Sequence, residues 1–288
     1  MIDMHSHILP SIDDGATSVD EAFKLIDEAK IAGFEAIVLT SHYIEGYYEA
    51  DIANRETLSK SIEDNLNVKA IDVDLYLGNE IYISENIVNL LAEGKASTIN
   101  NTNYVLFELP LNQEPMFLYN VIYEMMQNKL VPILAHPERY SFVQQKPELI
   151  YDLIQRGVLM QANYGSIIGL YGEKAQIIVK KLLQNNMIHF LGSDVHRQNT
   201  IYPKIPSILS ELNKLISEDK IDELTTINPK LVLQNKRIDV DEPREFSFNF
   251  REKLIMKLKK WKKGPGPFFC VKKTRKFIYY ISLKKEVI

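Results

Sequence analysis

Short apolar runs alternate with amphipathic segments through the first 240 residues, and this alternation constrains the fold more than any other feature. The segment SVDEAFKLIDEAKIAG is typical: Ser18 can cap a helix, Glu21 follows three residues later, and Gly33 can end it. Strands that alternate with helices predict parallel βαβ units. We predict seven strands, at residues 2–5, 35–40, 73–77, 104–108, 131–135, 158–162 and 188–192.

Polar residues with metal-binding chemistry recur where these predicted strands end. In MIDMHSHILPSIDDGA, His5 and His7 have the spacing that puts two side chains on one face of a strand. An open doubly wound sheet would bind its ligand at one switch point, whereas an α/β barrel gathers side chains from many strand ends. Because the candidates follow almost every predicted strand, we predict an α/β fold that is a distorted seven-stranded (β/α) barrel. The candidates are His5, His7, Asp14, His42, Glu80, Glu108, His136, Asp194 and His196.

These candidates predict a metal centre. Five of the six histidines lie just past a predicted strand end, and the sixth, His189, lies within a strand and is predicted to be structural. Imidazole mixed with carboxylate suits Mn²⁺, Fe or Zn²⁺ better than Ca²⁺, which prefers oxygen ligands. Nine ligands are too many for one ion, so we expect two or three divalent metals, Mn²⁺ foremost, with a carboxylate such as Glu80 shared between neighbours. Clustered metals activate water for phosphoester hydrolysis.

Composition limits the compartment and the partners. The single cysteine, Cys270, allows no internal disulfide, which suits a reducing cytosol. We see no signal peptide, and no apolar run approaches the ~20 residues that span a bilayer, so we expect a cytoplasmic protein. The overall net charge of −4 combines an acidic body with a basic C-terminal segment. Because an acidic body repels phosphate backbones, we expect no nucleic-acid partner.

Seven segments together resemble the polymerase-and-histidinol-phosphatase (PHP) superfamily, most closely the CpsB/CapC-type bacterial tyrosine-protein phosphatases of capsule and exopolysaccharide systems. They are MIDMHSHILPSIDDGA, LTSHY, LYLGNEIY, YVLFELP, ILAHPERY, LMQANYGSIIGLYG and HFLGSDVH, in order over residues 1 to about 240. The resemblance implies a PHP-type phosphatase domain over residues 1–240 with a trinuclear site. One metal would be held by His5, His7, Glu80 and Asp194, the second by the bridging Glu80 with Glu108 and His136, and the third by Asp14, His42 and His196.

Two arginines could recognise the phosphate beside the expected catalytic residues Glu80 and Asp194. Arg139 in HPERY follows His136 by three residues, so its guanidinium can reach the site for bidentate binding. Arg197 follows His196 directly and either replaces an arginine that members of this family often carry further along or points to solvent. A cysteine-based phosphatase would need Cys-x5-Arg, but Arg275 follows Cys270 one residue too early. We therefore expect in-line attack by a metal-activated hydroxide.

The resemblance implies a metal-dependent protein-tyrosine phosphatase that acts on a membrane-associated bacterial tyrosine kinase and so regulates capsule or exopolysaccharide synthesis. One alternative is a small-molecule phosphatase of the histidinol-phosphate type on the same scaffold, although GNEIY, FELP and QANYGS favour the tyrosine-phosphatase branch. A metal-dependent amidohydrolase would usually need a bridging carbamylated lysine, where this chain offers Glu80 and Glu108. A non-catalytic phosphotyrosine-binding scaffold is the alternative from another class, and the intact ligand set with Arg139 argues against it.

A basic amphipathic extension is predicted at residues 241–288. Phe250, Leu254, Leu258 and Trp261 have the spacing of one apolar stripe on a helix, and arginines and lysines surround them. This composition resembles an interfacial helix, with Trp261 near the lipid headgroups and lysines on anionic lipid. We predict that the extension docks the protein at the inner face of the membrane. The alternative is a solvated tail that folds back on the acidic body.

Overall fold

The computed structural model of the protein describes residues 1–68 and 71–257. These residues form a mixed α/β fold in which the strands pair in parallel. The described strands are β1 Ile2–Ser6, β2 Ala36–Leu39, β3 His42–Tyr43, β4 Asp74–Leu77, β5 Glu80–Tyr82, β6 Tyr104–Glu108, β7 Val131–Ala135, β8 Leu159–Asn163 and β9 Phe190–Gly192. They build a three-stranded sheet, β1-β2-β4, and a six-stranded sheet, β3-β5-β6-β7-β8-β9.

Helices connect the strands. The helix α1 confirms its predicted start, because the Ser18 side chain accepts a hydrogen bond from the Glu21 N–H at 3.2 Å. The described helices are α1 Val19–Ile31, α2 Ile52–Val68, α3 Ile87–Ala92, α4 Leu118–Gln127, α5 Ser141–Gln145, α6 Glu148–Gln155, α7 Tyr164–Ile167, α8 Glu173–Gln184, α9 Ile205–Leu212, α10 Glu218–Asp222, α11 Asn228–Leu233 and α12 Phe250–Lys257. Short 3₁₀ and π turns, including a π-helical turn at Glu223–Ile227, complete the connections.

The described strands outnumber the seven predicted ones because two predicted strands are each followed, after a two-residue break, by a short strand in the other sheet. The second, at 35–40, corresponds to β2 and is followed by β3, and the third, at 73–77, corresponds to β4 and is followed by β5. The two breaks lie side by side: the Gly78 N–H donates to the Leu39 carbonyl at 3.1 Å, and the Glu80 N–H donates to the Thr40 carbonyl at 3.1 Å. Periodicity predicts an extended segment, but the neighbour with which each strand pairs is decided by tertiary packing.

The first and last strands meet along a seam where the parallel sheet curls around. A single β-bridge joins Ser6 to Val195, and the Asp194 N–H donates to the His5 carbonyl at 2.8 Å. The buried Asp3 carboxylate strengthens this seam, because it accepts hydrogen bonds from the Ser193 N–H at 2.8 Å and from the Tyr202 hydroxyl at 2.7 Å. These contacts bring the start of the chain beside the loop that follows β9.

The core has two parts, one on each face of the curled sheet. Alternate residues of neighbouring strands, among them Met4, Val38, Leu106, Ile133 and Phe190, form one buried apolar cluster. The residues between them pack with the helices into a second, larger cluster. Parallel strands that are covered on both faces read as continuous apolar runs, which is why the strands are visible in the sequence.

The described residues after the sheet continue to pack on the body. The Arg244 N–H donates to the Asn185 carbonyl at 3.0 Å, and Lys181 Nζ lies 3.2 Å from Glu252 Oε2. Contacts place Met1–Lys257 in one compact unit. Of the predicted apolar stripe, Phe250 and Leu254 lie on α12 and are 87% and 57% exposed. The residues Leu258 and Trp261 lie outside the described residues.

Within the described ranges, the helices are all too short or too polar to cross a membrane.

Candidate metal centre

The structure brings all nine predicted ligands together, with His42 and Glu80 at the starts of β3 and β5 and the others near or after the carboxyl ends of β1, β6, β7 and β9. Each of β1, β3, β5 and β6 carries at least one of them, and the others lie in the loops that follow β1, β7 and β9. A register shift between Asp3 and Ser6 in β1 accompanies the placement of His5 and His7 in the site. Such bulges re-aim side chains next to active sites. The assembled residues are His5, His7, Asp14, His42, Glu80, Glu108, His136, Asp194 and His196.

A fully buried carboxylate, that of Glu80, occupies the middle of the site. Its Oε2 atom lies 3.2 Å from His5 Nε2, 3.4 Å from His7 Nε2 and 3.0 Å from His42 Nδ1. Its Oε1 atom lies 2.8 Å from His136 Nε2. One carboxylate therefore faces four imidazoles with both oxygens, which is the arrangement needed to bridge two metal ions.

The ligand atoms of the described residues form three groups, two of which include this carboxylate. Within each group all ligand atoms lie within 4.8 Å of one another. The groups are His5, His7 and Glu80; His42, Glu80 and Glu108; and His7, Asp14, His42 and His196. Asp194 lies beside the first group, because its Oδ1 atom lies 3.4 Å from His7 Nε2. The site opens to solvent at the last group, since Asp14 is 55% exposed whereas Glu80 is fully buried.

The chemistry of the site fits divalent metals. Buried polar atoms normally find hydrogen-bond partners, and unpaired ones cost free energy. Among the described residues, Glu80 Oε2, His42 Nδ1 and His136 Nδ1 are buried without such a partner. His5 Nε2 and His7 Nε2 face each other at 3.0 Å, and both rings have their other nitrogen engaged elsewhere. Cations among these nitrogens and oxygens would satisfy them together.

Protons compete with metals for the imidazoles of the site. Burial alone would lower the pKa of His7 and His42, but nearby carboxylates outweigh it and raise both pKa values well above the ordinary histidine value. Burial would raise the pKa of Glu80, but His5 and His42 hold it well below its usual range. Protons therefore bind the imidazoles readily and compete with metals for them, so acidification should release metal.

Arg139 lies at the edge of the site, as its sequence position predicted. Its Nη1 atom donates to Asp194 Oδ2 at 2.5 Å, and 25% of its side chain is exposed. The guanidinium carbon lies 4.5 Å from the centre of the Tyr171 ring, an arrangement typical of a cation–π contact. A second half-buried aromatic ring, that of Tyr48, stacks parallel to His42 with the ring centres 6.1 Å apart. The site therefore has a fixed cation and two aromatic rings beside its ligands.

The family of the chain follows from a comparison with known proteins. A family model described as "Capsular polysaccharide synthesis, CpsB/CapC" matches residues 1–234. The chain belongs to the CpsB/CapC family. It is 32% identical over 251 residues to a putative tyrosine-protein phosphatase CapC from Staphylococcus aureus, covering 85% of this chain and 96% of that protein. It is 30% identical to the tyrosine-protein phosphatase YwqE from Bacillus subtilis, with the same coverage of 85% and 96%.

Solved structures agree with this assignment. A chain from crystal structures of YwqE from Bacillus subtilis and CpsB from Streptococcus pneumoniae, described as metal-dependent tyrosine phosphatases, matches with a TM-score of 0.80 at 29% identity. The match covers 86% of this chain and 100% of that one. A histidinol phosphate phosphatase from Lactococcus lactis matches with a TM-score of 0.51 at 14% identity, which is a likeness of fold alone.

Two residues that orient ligands in this CpsB/CapC chain were missed by the sequence analysis. Asp13 Oδ2 accepts hydrogen bonds from His7 Nδ1 and from the His42 N–H, both at 2.9 Å. Gln161 Oε1 accepts from His5 Nδ1 at 2.7 Å. Partners of this kind fix which ring nitrogen faces the metal. A signal was present in the first case, since two adjacent aspartates follow the His-x-His pair and the analysis assigned only Asp14.

Arg197 hydrogen-bonds to the backbone of two loops of the site, and its role toward phosphate stays a prediction. Its Nη1 atom donates to the carbonyl oxygens of Asp14 at 3.0 Å, His196 at 2.6 Å and Gly15. It thereby ties the loop that carries Asp14 to the loop that carries His196. The remaining histidine, His189, is buried and accepts a hydrogen bond from the Met160 N–H at 3.0 Å, which agrees with its predicted structural role. Burial lowers the pKa of His189 to about 3, so it is neutral.

Proposed function

We propose that this member of the CpsB/CapC family is a metal-dependent protein-tyrosine phosphatase. The observation that carries the proposal is the convergence of eight imidazole and carboxylate ligands around a ninth, the buried Glu80, with the Arg139 guanidinium at their edge. The relatives named tyrosine-protein phosphatases align over nearly their full length. Metal dependence is stated for the solved relatives. Aromatic rings at the edge of the site, those of Tyr48 and Tyr171, suit an aryl phosphate.

The proposed cofactors are two or three divalent metals, Mn²⁺ foremost with Fe or Zn²⁺ as alternatives. When bound, such metals supply an activated water and stabilise charge on the entering and leaving oxygens. The proposed ligand sets are His5, His7, Glu80 and Asp194; Glu80, Glu108 and His136; and Asp14, His42 and His196. Arg139 would bind the phosphate through N–H groups that Asp194 does not occupy. A phenolate is a good leaving group and needs little proton donation.

The proposed scaffold is a PHP-type distorted barrel over residues 1–240, followed by the basic extension 241–288. The strand contacts across the seam support a closed arrangement, because they bring β1 beside β9. The same scaffold could serve a small-molecule phosphatase of the histidinol-phosphate type, and a site that binds phosphotyrosine without hydrolysis would look similar. Both alternatives make different predictions about turnover.

Turnover on matched substrates tests the proposal. We expect the purified protein to contain at least two divalent metals per chain and to hydrolyse a phosphotyrosine peptide and p-nitrophenyl phosphate. Treatment with a chelator should abolish both activities, and Mn²⁺ should restore them, because the proposed hydrolysis needs a metal-activated water. Metal content is measured by elemental analysis and phosphate release by a colorimetric assay, with histidinol phosphate and a phosphoserine peptide as controls. Faster hydrolysis of histidinol phosphate would favour the small-molecule alternative, and binding without turnover would favour the scaffold.

We also propose that the physiological substrate is a membrane-associated tyrosine kinase and that the protein works in the cytoplasm at the inner membrane face. Exposed apolar residues on α12, Phe250 and Leu254, support a docking surface there. The neighbouring Arg251 and Lys253 can contact anionic lipid, each nearby basic charge contributing about 1 kcal/mol.

Co-sedimentation with liposomes tests the membrane proposal. The full chain should sediment with anionic vesicles at low salt, and a chain that ends at Lys257 should bind less while it keeps its activity. Ending at Lys257 rather than at residue 240 preserves the contacts of Arg244 and Glu252 with the body. Neutral vesicles and high salt are the controls. Equal binding of both chains would contradict a role for residues 258–288, and binding that salt does not weaken would contradict a role for the basic residues of the extension.

A further inference from the structure

Two ligands of the metal centre directly follow the adjacent strand breaks. His42 is the first residue of β3 and comes after Thr40 and Ser41, while Glu80 is the first residue of β5 and comes after Gly78 and Asn79. The Glu80 N–H donates to both the Thr40 and Ser41 carbonyls, at 3.1 and 3.2 Å. The backbone at the breaks therefore sets where both ligands project.

A side-chain network, here called the Arg55 brace and made of the buried Arg55 and Asn79 with the half-buried Ser97, connects the two breaks. Arg55 Nη1 donates to the Gly78 carbonyl and to Ser97 Oγ, both at 2.9 Å. The Ser97 N–H donates to Asn79 Oδ1 at 2.9 Å, and Asn79 Nδ2 donates to the Ser41 carbonyl at 2.8 Å. The hydrogen bonds run without interruption from α2 to the break before His42.

Stability alone does not account for an arginine at this position. Arg55 is 1% exposed, and no carboxylate among the described residues pairs with its guanidinium within 4.0 Å. Its Nε and Nη2 atoms are buried, and neither has a hydrogen-bond partner among the described residues. Burial lowers the pKa of Arg55 to about 10, and the charges of Asp51 and Glu56, which act in the opposite direction, only partly offset it. An apolar side chain of similar length is often as stable or more stable at such a place.

We infer that Arg55 is a positioning residue of the metal centre. Through Gly78, Ser97 and Asn79 it holds the two strand breaks in the relative position at which His42 and Glu80 can share a metal. A residue that is unfavourable for stability is expected where the function of the protein depends on it. The inference rests on the proposed metal centre, and it assigns to Arg55 no contact with metal or substrate.

The variant Arg55→Met tests the inference with two readouts that separate positioning from structural support. We expect the melting temperature of the chelator-treated protein to stay the same or rise, because an unpaired buried charge is removed. We expect the dissociation constant for Mn²⁺, measured by calorimetric titration, to rise roughly 10- to 100-fold, as when residues that orient metal ligands are lost. With a phosphotyrosine peptide, kcat should fall more than KM rises. The matched control is Arg156→Met, because Arg156 is 53% exposed and pairs with Asp152.

A lowered melting temperature with unchanged Mn²⁺ affinity would make Arg55 a structural residue and overturn the inference. If Arg55→Met does not fold, Ser97→Ala decides, since it removes only the hydroxyl that Arg55 contacts; unchanged Mn²⁺ affinity there would also overturn it. Wild-type protein that binds Mn²⁺ without hydrolysing phosphotyrosine would refute the proposed function and leave this inference standing. Wild-type protein that binds no divalent metal would refute both.

Discussion

Replacing Glu80 by glutamine should reduce phosphotyrosine hydrolysis by about 10³-fold or more. The amide keeps the shape of the side chain but loses the negative charge that faces His5, His42 and His136. Without that charge the site cannot hold neighbouring metals through one bridging group, and metal stabilisation of the transition state is worth several kcal/mol. Metal content and kcat of the purified variant are the measurements.

The control for this prediction is Glu124→Gln, which makes the same chemical change at an exposed position. It should keep full activity and metal content. Circular dichroism of Glu80→Gln should resemble that of the wild type, because the hydrophobic clusters do not include Glu80. Near-normal turnover by a fully metal-loaded Glu80→Gln protein would exclude Glu80 as the bridging ligand.

Removing the guanidinium of Arg139 should lower kcat/KM for a phosphotyrosine peptide about 10- to 150-fold and leave most of the metal bound. A charge-assisted hydrogen bond contributes about 1.5–3 kcal/mol, which converts to that range. Arg139→Lys should lie between Arg139→Ala and the wild type, because lysine keeps the charge but lacks the planar pair of donors. Steady-state kinetics and elemental analysis of both variants are the measurements.

The matched comparison for the arginine variants is Cys270→Ser, since Cys270 is the one cysteine of the chain. Hydrolysis that needs no thiolate should be unchanged in this variant. If the kinetics of Arg139→Ala equal those of the wild type, Arg139 does not bind the phosphate and only pairs with Asp194. Loss of activity in Cys270→Ser would contradict hydrolysis without a cysteine nucleophile.

The sequence predicted the strands and the ligands better than it predicted the residues that orient them. Strand β6 and strand β7 have the predicted bounds, because buried parallel strands are continuous apolar runs between polar turns. Ligands are recognisable because histidines and carboxylates recur where such runs end. By contrast, Gln161 and Arg55 act across the fold on His5 and on the break before Glu80, and nothing in their immediate sequence indicates those partners.

The end of the body was harder to place for the same reason. The segment DEPREFSFNF is rich in polar residues, and its composition does not show that Phe246 and Phe248 pack against the core. Arg244 of this segment contacts a distant residue, since its Nη2 atom donates to the Gln184 carbonyl, and just beyond the segment Glu252 pairs with Lys181. The composition of a segment indicates its intrinsic structural preference, whereas its packing depends on which distant residues it contacts in the folded chain.

The seam between β1 and β9 has a consequence for how the protein is made. His5 and His7 lie on one side of it and Asp194 and His196 on the other, and one β-bridge joins the strands. On a ribosome, the first two of these residues are synthesised long before the last two, so a growing chain lacks two of the nine ligands until late in synthesis. Metal capture would therefore come after nearly the whole body has emerged. A captured ion would act as a clip across a very long loop, the kind of link that reduces the entropy of an unfolded chain most.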